Sequence, residues 1–256
     1  MNTVFNLIYL GGPTVIIEIA GLRIMTDPTL DPKGTAFEIN GKVAEAKLAG
    51  PAITDIGKID LVLLSHDQHN DNLDKAGREL LKKGMLTVTT RIGAERLKGN
   101  TRGLLPWEQT SVTLPNGKEL EITATPARHG PSGTEKITGD VIGFLLRIKG
   151  DSDLPIYLTG DTVFFDGIAE VARRYQPRYV FFFAGAARPR GPFSVTMTSN
   201  DSLDTAAAFP SATLIPLHFE GWSHYTENGD VLKGAFTATG MDKRLYFPPL
   251  GKTVEL

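Results

Sequence analysis

Residues 63–74 read LLSHDQHNDNLD. Two histidines, His66 and His69, stand three apart, and Asp71 and Asn72 follow at once. Imidazoles and a carboxylate this close in sequence suit a divalent cation. The same stretch also reads as a helix start. Asp71 would be the N-cap, with Asp74 three residues later reaching back as in a capping box, or Asn72 would be the cap. The chain has five histidines in all, and LVLLS, EITATPAR and TLIPL are the apolar, strand-like runs before His66, His129 and His218. Asp161 is placed in the same way after PIYLTG. Strand ends are where a sheet scaffold presents reactive groups on loops. Singly, each has a plainer reading: a histidine packed over a sheet, or an aspartate fixing a turn.

The flanking residues divide similarly between chemistry and structure. His224, six residues after His218, is a candidate proton donor or substrate contact, or a surface histidine. Trp222, with Phe219 and Tyr225, could wall a pocket or simply fill the core. Arg128, Arg188 and Arg190 follow strands and would suit a carboxylate or phosphate on a substrate, or remain solvated. Asp27 and Asp67 could orient ligand histidines from behind, while Asp27 could equally initiate the turn before Pro28.

The elements that must position these groups are legible from periodicity. Segments 14–20 and 22–28 are β-rich and joined at Gly21, as in a hairpin. Residues 59–65 form an apolar run expected of a strand buried on both faces. Residues 73–83 carry a helical stripe stopped by Gly84, and 85–90 return to strand. The middle region reads as strands with an Asn116-Gly117 hairpin turn. Strands are expected at 155–162, 178–187 and 212–219, alternating with helices near 166–175, 201–208 and 230–239, before a short strand tail. This order suggests two sheets covered by helices rather than one doubly wound sheet.

The 256 residues suffice for one large domain, 1–256, with an ordinary globular composition of 41% hydrophobic and 22% charged residues. Net charge is −2, so no global field draws the chain to nucleic acid or a membrane. There is no cysteine, which excludes disulfides, thiolate ligands and a cysteine nucleophile. Neither a signal peptide nor a membrane span is expected, and the cytoplasm is the default location.

The motifs SHDQHNDNLD, ATPARHGP, YLTGDT and IPLHFEGW, together with GGPTVIIEIAGLRIMTDPTLDP, resemble the metallo-β-lactamase superfamily. More narrowly they resemble its branch of small metal-dependent hydrolases that includes ascorbate-phosphate lactonase. The family pattern is His-x-His-x-Asp-His. Strict register from His66 places Gln68, Asn70 and Asp71 in the later slots and matches nothing. One inserted residue places His69, Asp71 and Asn72 there, with Asn72 replacing the last histidine. The resemblance implies a four-layer αββα sandwich of α/β (α+β) class. It implies a first cation on His66, His69 and His129, with Asp161 bridging to a second on Asp71, Asp161 and His218, where Asn72 replaces an imidazole. One or two Zn²⁺, Mn²⁺ or Fe²⁺ ions are expected. They would support hydrolysis by metal-bound hydroxide, with Asp71 orienting it or accepting its proton. The substrate would be a small molecule (a lactone or other cyclic ester, a phosphodiester or an amide), anionic if the arginines face it. The oligomeric state stays open. A neutral amide is a poorer ligand than imidazole, so the second cation should bind more weakly than the first or be absent. Asn72 is also the one feature that favours a rival, a metal-poor binding protein that kept the fold. An iron-dependent redox role is a further alternative.

Overall fold

The computed structural model describes residues 4–39, 42–150 and 156–256. An antiparallel meander, β1 (Phe5–Gly11), β2 (Thr14–Ile19) and β3 (Leu22–Thr26), opens the chain, with the expected turn at Gly21. A hairpin of β4 (Ala36–Ile39) and β5 (Lys42–Ala46) follows and joins neither main sheet. Next come β6 (Leu61–Leu63), α1 (Lys75–Leu81), β7 (Leu86–Thr90), α2 (Arg91–Leu97) and β8 (Thr101–Leu104). The second half holds β9 (Gln109–Thr113), β10 (Glu119–Pro126), the short α3 (Glu135–Thr138), β11 (Ile142–Ile148) and β12 (Ile156–Leu158). It finishes with α4 (Asp166–Arg174), β13 (Tyr179–Phe183), α5 (Ser199–Ala208), β14 (Thr213–Leu217), α6 (Gly229–Ala238) and β15 (Thr253–Glu255). Pro155, at the head of the strand expected over 155–162, lies outside the described residues.

Two sheets face each other. One has the order β15-β1-β2-β3-β6-β7-β8 and the other β14-β13-β12-β11-β10-β9. Strand alternation builds the layers. In β13, Tyr179, Phe181 and Phe183 enter the core between the sheets, where they meet Phe5, Leu7, Ile17 and Leu63. Val180 and Phe182 point the other way and pack with Ile168 and Val171 of α4, Ala206 of α5 and Phe236 of α6. On the outer face of the first sheet, Ile16, Met25 and Val62 pack against Leu73 and Leu80 at α1. The result is the expected αββα order of layers.

Helix α1 starts later than the sequence suggests. Its N-cap is Asp74, whose Oδ1 accepts from Gly77 N at 2.9 Å. Neither Asp71 nor Asn72 is the cap, because both side chains are turned to the neighbouring sheet end. Asp74 also accepts from Lys47 Nζ at 2.9 Å and from Asp31 N at 2.7 Å, so the cap is locked from two sides in the interior.

The sheets set one common edge. Strands β3 and β6 run parallel, as do β12, β13 and β14, and β10 shares the direction of β12 through the antiparallel β11. The chain segments that follow β3, β6, β10, β12 and β14 therefore leave on the same side. Ile142 N donates to Ser65 O at 3.1 Å and His218 N to Gly12 O at 2.7 Å, which stitches the two sheets together at this edge.

Candidate metal centre

His66 leaves β6 by way of Leu64 and Ser65, and its ring is wholly buried. Ser65 is fixed by Asp27, whose Oδ1 accepts from both Ser65 N and Ser65 Oγ at 2.8 Å. With its proton committed to Asp27, Ser65 Oγ accepts from His66 Nδ1 at 2.9 Å. His66 Nε2 is then left with a bare lone pair. His129, after β10, is set by the same logic. Its Nδ1 donates to the Val195 carbonyl at 2.8 Å, which leaves Nε2 unprotonated. Both Nε2 atoms lie 2.9 Å from the same atom, His69 Nδ1. Neutral His69 can bring at most one proton to this meeting point. Three ring nitrogens thus converge with too few protons between them, an arrangement that suits a cation. Asp161 Oδ2 faces the group from 3.6 Å (His129) and 3.9 Å (His66). His66, His69, His129 and Asp161 each offer one donor atom to a set that could hold one ion.

Asp161 closes the set because of its turn. Gly160 has φ of +63°, and a Cβ there would meet Ile142 O at 2.6 Å and Ser65 Cβ at 3.0 Å. Glycine is what lets β12 end against the other sheet. The opposite carboxylate oxygen, Asp161 Oδ1, faces His218 Nε2 at 3.4 Å, and Asp71 Oδ2 lies 3.2 Å from the same nitrogen. Asp71, Asp161 and His218 form a second set able to hold an ion. His218 has a left-handed φ of +62°, a costly conformation for a residue with a side chain, at the centre of this group. Its ring lies between Phe183 and Tyr225, and both ring nitrogens are buried without a hydrogen-bond partner.

Asn72 lies beside Asp161. Its Nδ2 donates to Asp161 Oδ1 at 3.1 Å, while its Oδ1 is buried without a partner. Gln68 points away and donates to the carbonyls of Thr138 and Asp140 at 3.1 and 3.0 Å, whereas His69 joins His66 and His129.

Electrostatics divide the cluster. Burial, then the charge of His129, lowers His69 to about 3, and burial with His69 and His129 holds His66 well below its ordinary value. Burial also opposes charge on His218, but Asp161 and Asp71 outweigh it and raise this histidine to about 9. Asp71 works against its own burial. His224 and His218 hold its carboxyl well below the usual range. One side of the centre is therefore neutral imidazole and the other an ion-paired group.

The flanking candidates fare differently. His224 is not a surface histidine. It is buried, and its Nε2 donates to Asp71 Oδ2 at 2.8 Å, with Tyr225 OH donating to the same oxygen at 3.3 Å. Arg190 lines a cavity of about 330 Å³ with His69, Ile92, Lys136 and Ile137. Arg128 lines one of about 300 Å³ with His129, Ile92 and Leu105, and its guanidinium sits 4.9 Å from the Phe165 ring. Arg188 lines neither, and its Nε donates to Ser194 Oγ at 3.1 Å. Trp222 is apart from the histidine trio. It is buried against Phe37 and Lys47 and lines a separate cavity of about 90 Å³. Asp67 does not orient a ligand histidine, since its carboxylate is paired with Arg96 of α2.

The sequence reading missed Glu45. It comes from the β4–β5 hairpin, is buried, and joins Asp71 and His224 in a third set of possible ligands. The signal that could have found the hairpin is the Asn40-Gly41 pair between short alternating runs.

Comparison with known proteins finds relatives and solved structures that match this chain over nearly its whole length. UPF0173 protein YddR of Bacillus subtilis is 25% identical over 97% of this chain and 98% of its own length. A UPF0173 metal-dependent hydrolase of Pelotomaculum thermopropionicum is 27% identical over 97% of this chain and 98% of its own length. Among solved structures, an isothiocyanate hydrolase from Delia radicum gut bacteria superposes with a TM-score of 0.84 at 23% identity, covering 97% of this chain and 98% of that one. Residues 22–219, from β3 to just beyond His218, match the family described as Beta-lactamase superfamily domain, and the chain belongs to that family.

Proposed function

We propose that the buried histidine–aspartate cluster is a hydrolytic metal centre. The chain is a metal-dependent hydrolase, as several of its relatives are named. The observation that carries the site assignment is the convergence of His66 Nε2, His69 Nδ1 and His129 Nε2 at 2.9 Å, with two of the three fixed as lone-pair donors by Ser65 and Val195. With Asp161 they would hold a first divalent ion, Zn²⁺, Mn²⁺ or Fe²⁺ by ligand type. Asp71, Asp161 and His218 would hold a second, with Asn72 making that position the weaker one. The chemistry such an ion would supply, when bound, is a water of pKa about 7 and polarisation of the scissile group.

The residues of the chain do the rest. Ser65 and Asp27 keep the His66 lone pair aimed inward. Asp71, held by His224 and Tyr225, is placed to orient a nucleophilic water and accept its proton. Because His224 Nε2 is engaged with Asp71, its part is to position Asp71 rather than to protonate a leaving group. Arg190, at the mouth beside His69, would meet an anionic group on the substrate, and Ile92 and Ile137 an apolar part. A lactone, phosphodiester or amide would suit such a site, and an isothiocyanate belongs in the same screen because a similar solved structure is that of an isothiocyanate hydrolase.

The test is a substrate screen over these bond types with protein loaded with Zn²⁺, Mn²⁺ or Fe²⁺. We expect His66→Ala to lower turnover of the best substrate at least 100-fold and to remove bound metal. Wild type with no more metal and no more turnover than His66→Ala on every substrate would overturn the assignment.

A further inference from the structure

Glu45 and Asp71 are two buried carboxylates gathered at one imidazole, that of His224. His224 Nε2 lies 2.8 Å from Asp71 Oδ2, and one donor atom from each of Glu45, Asp71 and His224 lies within 4.8 Å of the others. Among the described residues no lysine or arginine forms an ion pair with either carboxylate, although Arg190 is near enough to act on Glu45 through its field. The only hydrogen bond to the Glu45 carboxylate there is a long one, from Asn70 Nδ2 at 3.3 Å. Buried carboxylates are ordinarily paired or bound to metal. A second observation points the same way: His224 is buried with its Nδ1 unpartnered.

The trio is assembled by the fold and not by a chance meeting of long side chains. Ala46 N donates to Ser223 Oγ at 2.9 Å, Ser223 N donates to Ala46 O at 3.0 Å, and Lys47 bridges to Trp222. These bonds fasten β5 to the loop after β14, so Glu45 and His224 are neighbours through backbone. Asp71 belongs both to this trio and to the inner set with Asp161 and His218. At the inner set Asn72 contributes only a neutral amide.

We propose that Glu45, Asp71 and His224 form a further divalent-cation site, outside the inner set and sharing Asp71 with it, which takes up the ion that Asn72 holds poorly. The inference rests on the reading of the cluster as a metal centre. Two carboxylates with one imidazole are a harder donor set than three imidazoles and suit Mn²⁺. An ion there would add positive charge to a pair of carboxylates that otherwise has His224 beside both, His218 beside Asp71 and the field of Arg190 at Glu45.

Equilibrium dialysis against Mn²⁺, with the bound ion counted by electron paramagnetic resonance, tests this on wild type, Glu45→Gln, His224→Gln and His69→Ala. We expect Glu45→Gln and His224→Gln each to lose one equivalent, or to weaken its binding at least 10-fold. His69→Ala should lose a different equivalent, so that Glu45→Gln/His69→Ala loses both. If Glu45→Gln and His224→Gln titrate as wild type does, the outer site is overturned while the inner centre stands. Wild type that takes up no Mn²⁺, Zn²⁺ or Fe²⁺ overturns both. Two conservative variants on separate chain segments keep the test decisive if one of them fails to fold.

Discussion

Among the described residues the Ser65 side chain hydrogen-bonds to no proposed ligand except His66, yet it decides which nitrogen of that ring faces inward. Ser65→Ala removes the acceptor at Nδ1 and frees the tautomer. Groups that orient a metal-ligating imidazole are typically worth 10–100-fold in affinity, and competition against a chromogenic chelator should show a loss of that size. Asn72→His is the converse experiment. It restores an imidazole beside Asp161, so the inner second position should retain its ion through mild chelation that strips it from wild type, as read by elemental analysis. An unchanged metal content would mean that residue 72 does not face the ion. The residues named here were legible to different degrees. His66, His129, His218 and Asp161 stood out because each ends an apolar run, and strand ends are where such groups belong. His69 had to be separated from Gln68, which points the other way to the Thr138 and Asp140 carbonyls. Glu45 carried no such mark, since its partners are 26 and 179 residues away in Asp71 and His224 and only the folded hairpin brings them together.

At the level of elements, the β4–β5 hairpin and the start of α1 meet through a buried ion pair. Lys47 Nζ, 2.9 Å from Asp74 Oδ2 and 2.6 Å from Thr29 O, is enclosed beneath Trp222. Removing one partner of such a pair leaves the other charged and buried, at a cost of about 3–5 kcal/mol. Lys47→Ala should lower the free energy of urea unfolding by about that amount, and a change below about 1 kcal/mol would show that the pair is solvated. The β12 turn makes a second prediction. Gly160→Ala forces a side chain into a left-handed conformation, at about 1–2 kcal/mol, and into contact with Ile142 O. Loss of stability by at least about 2 kcal/mol, together with weaker metal binding, is expected from the same melts and titrations. The sequence anticipated most of the sheet and helix order but placed the α1 cap wrongly. Asp71 and Asn72 are good caps in isolation, but their side chains face His224 and Asp161 and the cap is left to Asp74. It also passed over α2, whose short run contains Gly93. That glycine is required because a Cβ would lie 2.7 Å from the capping Thr90 Oγ1, so a helix-weakening residue is retained for packing.

For the molecule as a whole, the centre should govern stability as much as activity. An ion held at 1,000 times its dissociation constant adds about 4 kcal/mol, so chelation should lower the melting temperature reversibly. The chelated protein should also depend on pH in both directions. His69, lowered by burial and His129 to about 3 in the fold, is near 6.5 when unfolded. The unfolded chain then binds more protons between these values, and stability falls as pH drops through that window. His218 is raised to about 9, burial being outweighed by Asp161 and Asp71. Its contribution is complete below about 6.5 and is lost as pH rises through 9. Melting of the chelated protein should therefore be highest near pH 6.5 and fall on either side, and a flat profile between pH 4 and 9 would contradict the arrangement.

The ligand set is divided between the two sheets. His66, His69 and Asp71 follow strand β6 of the first, whereas His129, Asp161 and His218 follow strands β10, β12 and β14 of the second. An ion held by the proposed ligands would be a clasp across the sandwich at this edge, acting beside the Ile142-to-Ser65 and His218-to-Gly12 backbone bonds. Pulled apart mechanically, the halves would part first at the opposite edge while the clasp is closed, and at either edge once it is open. Amide hydrogen exchange would register the difference, slowing by orders of magnitude on loading at His218 and at Ile142, the second of which is no proposed ligand.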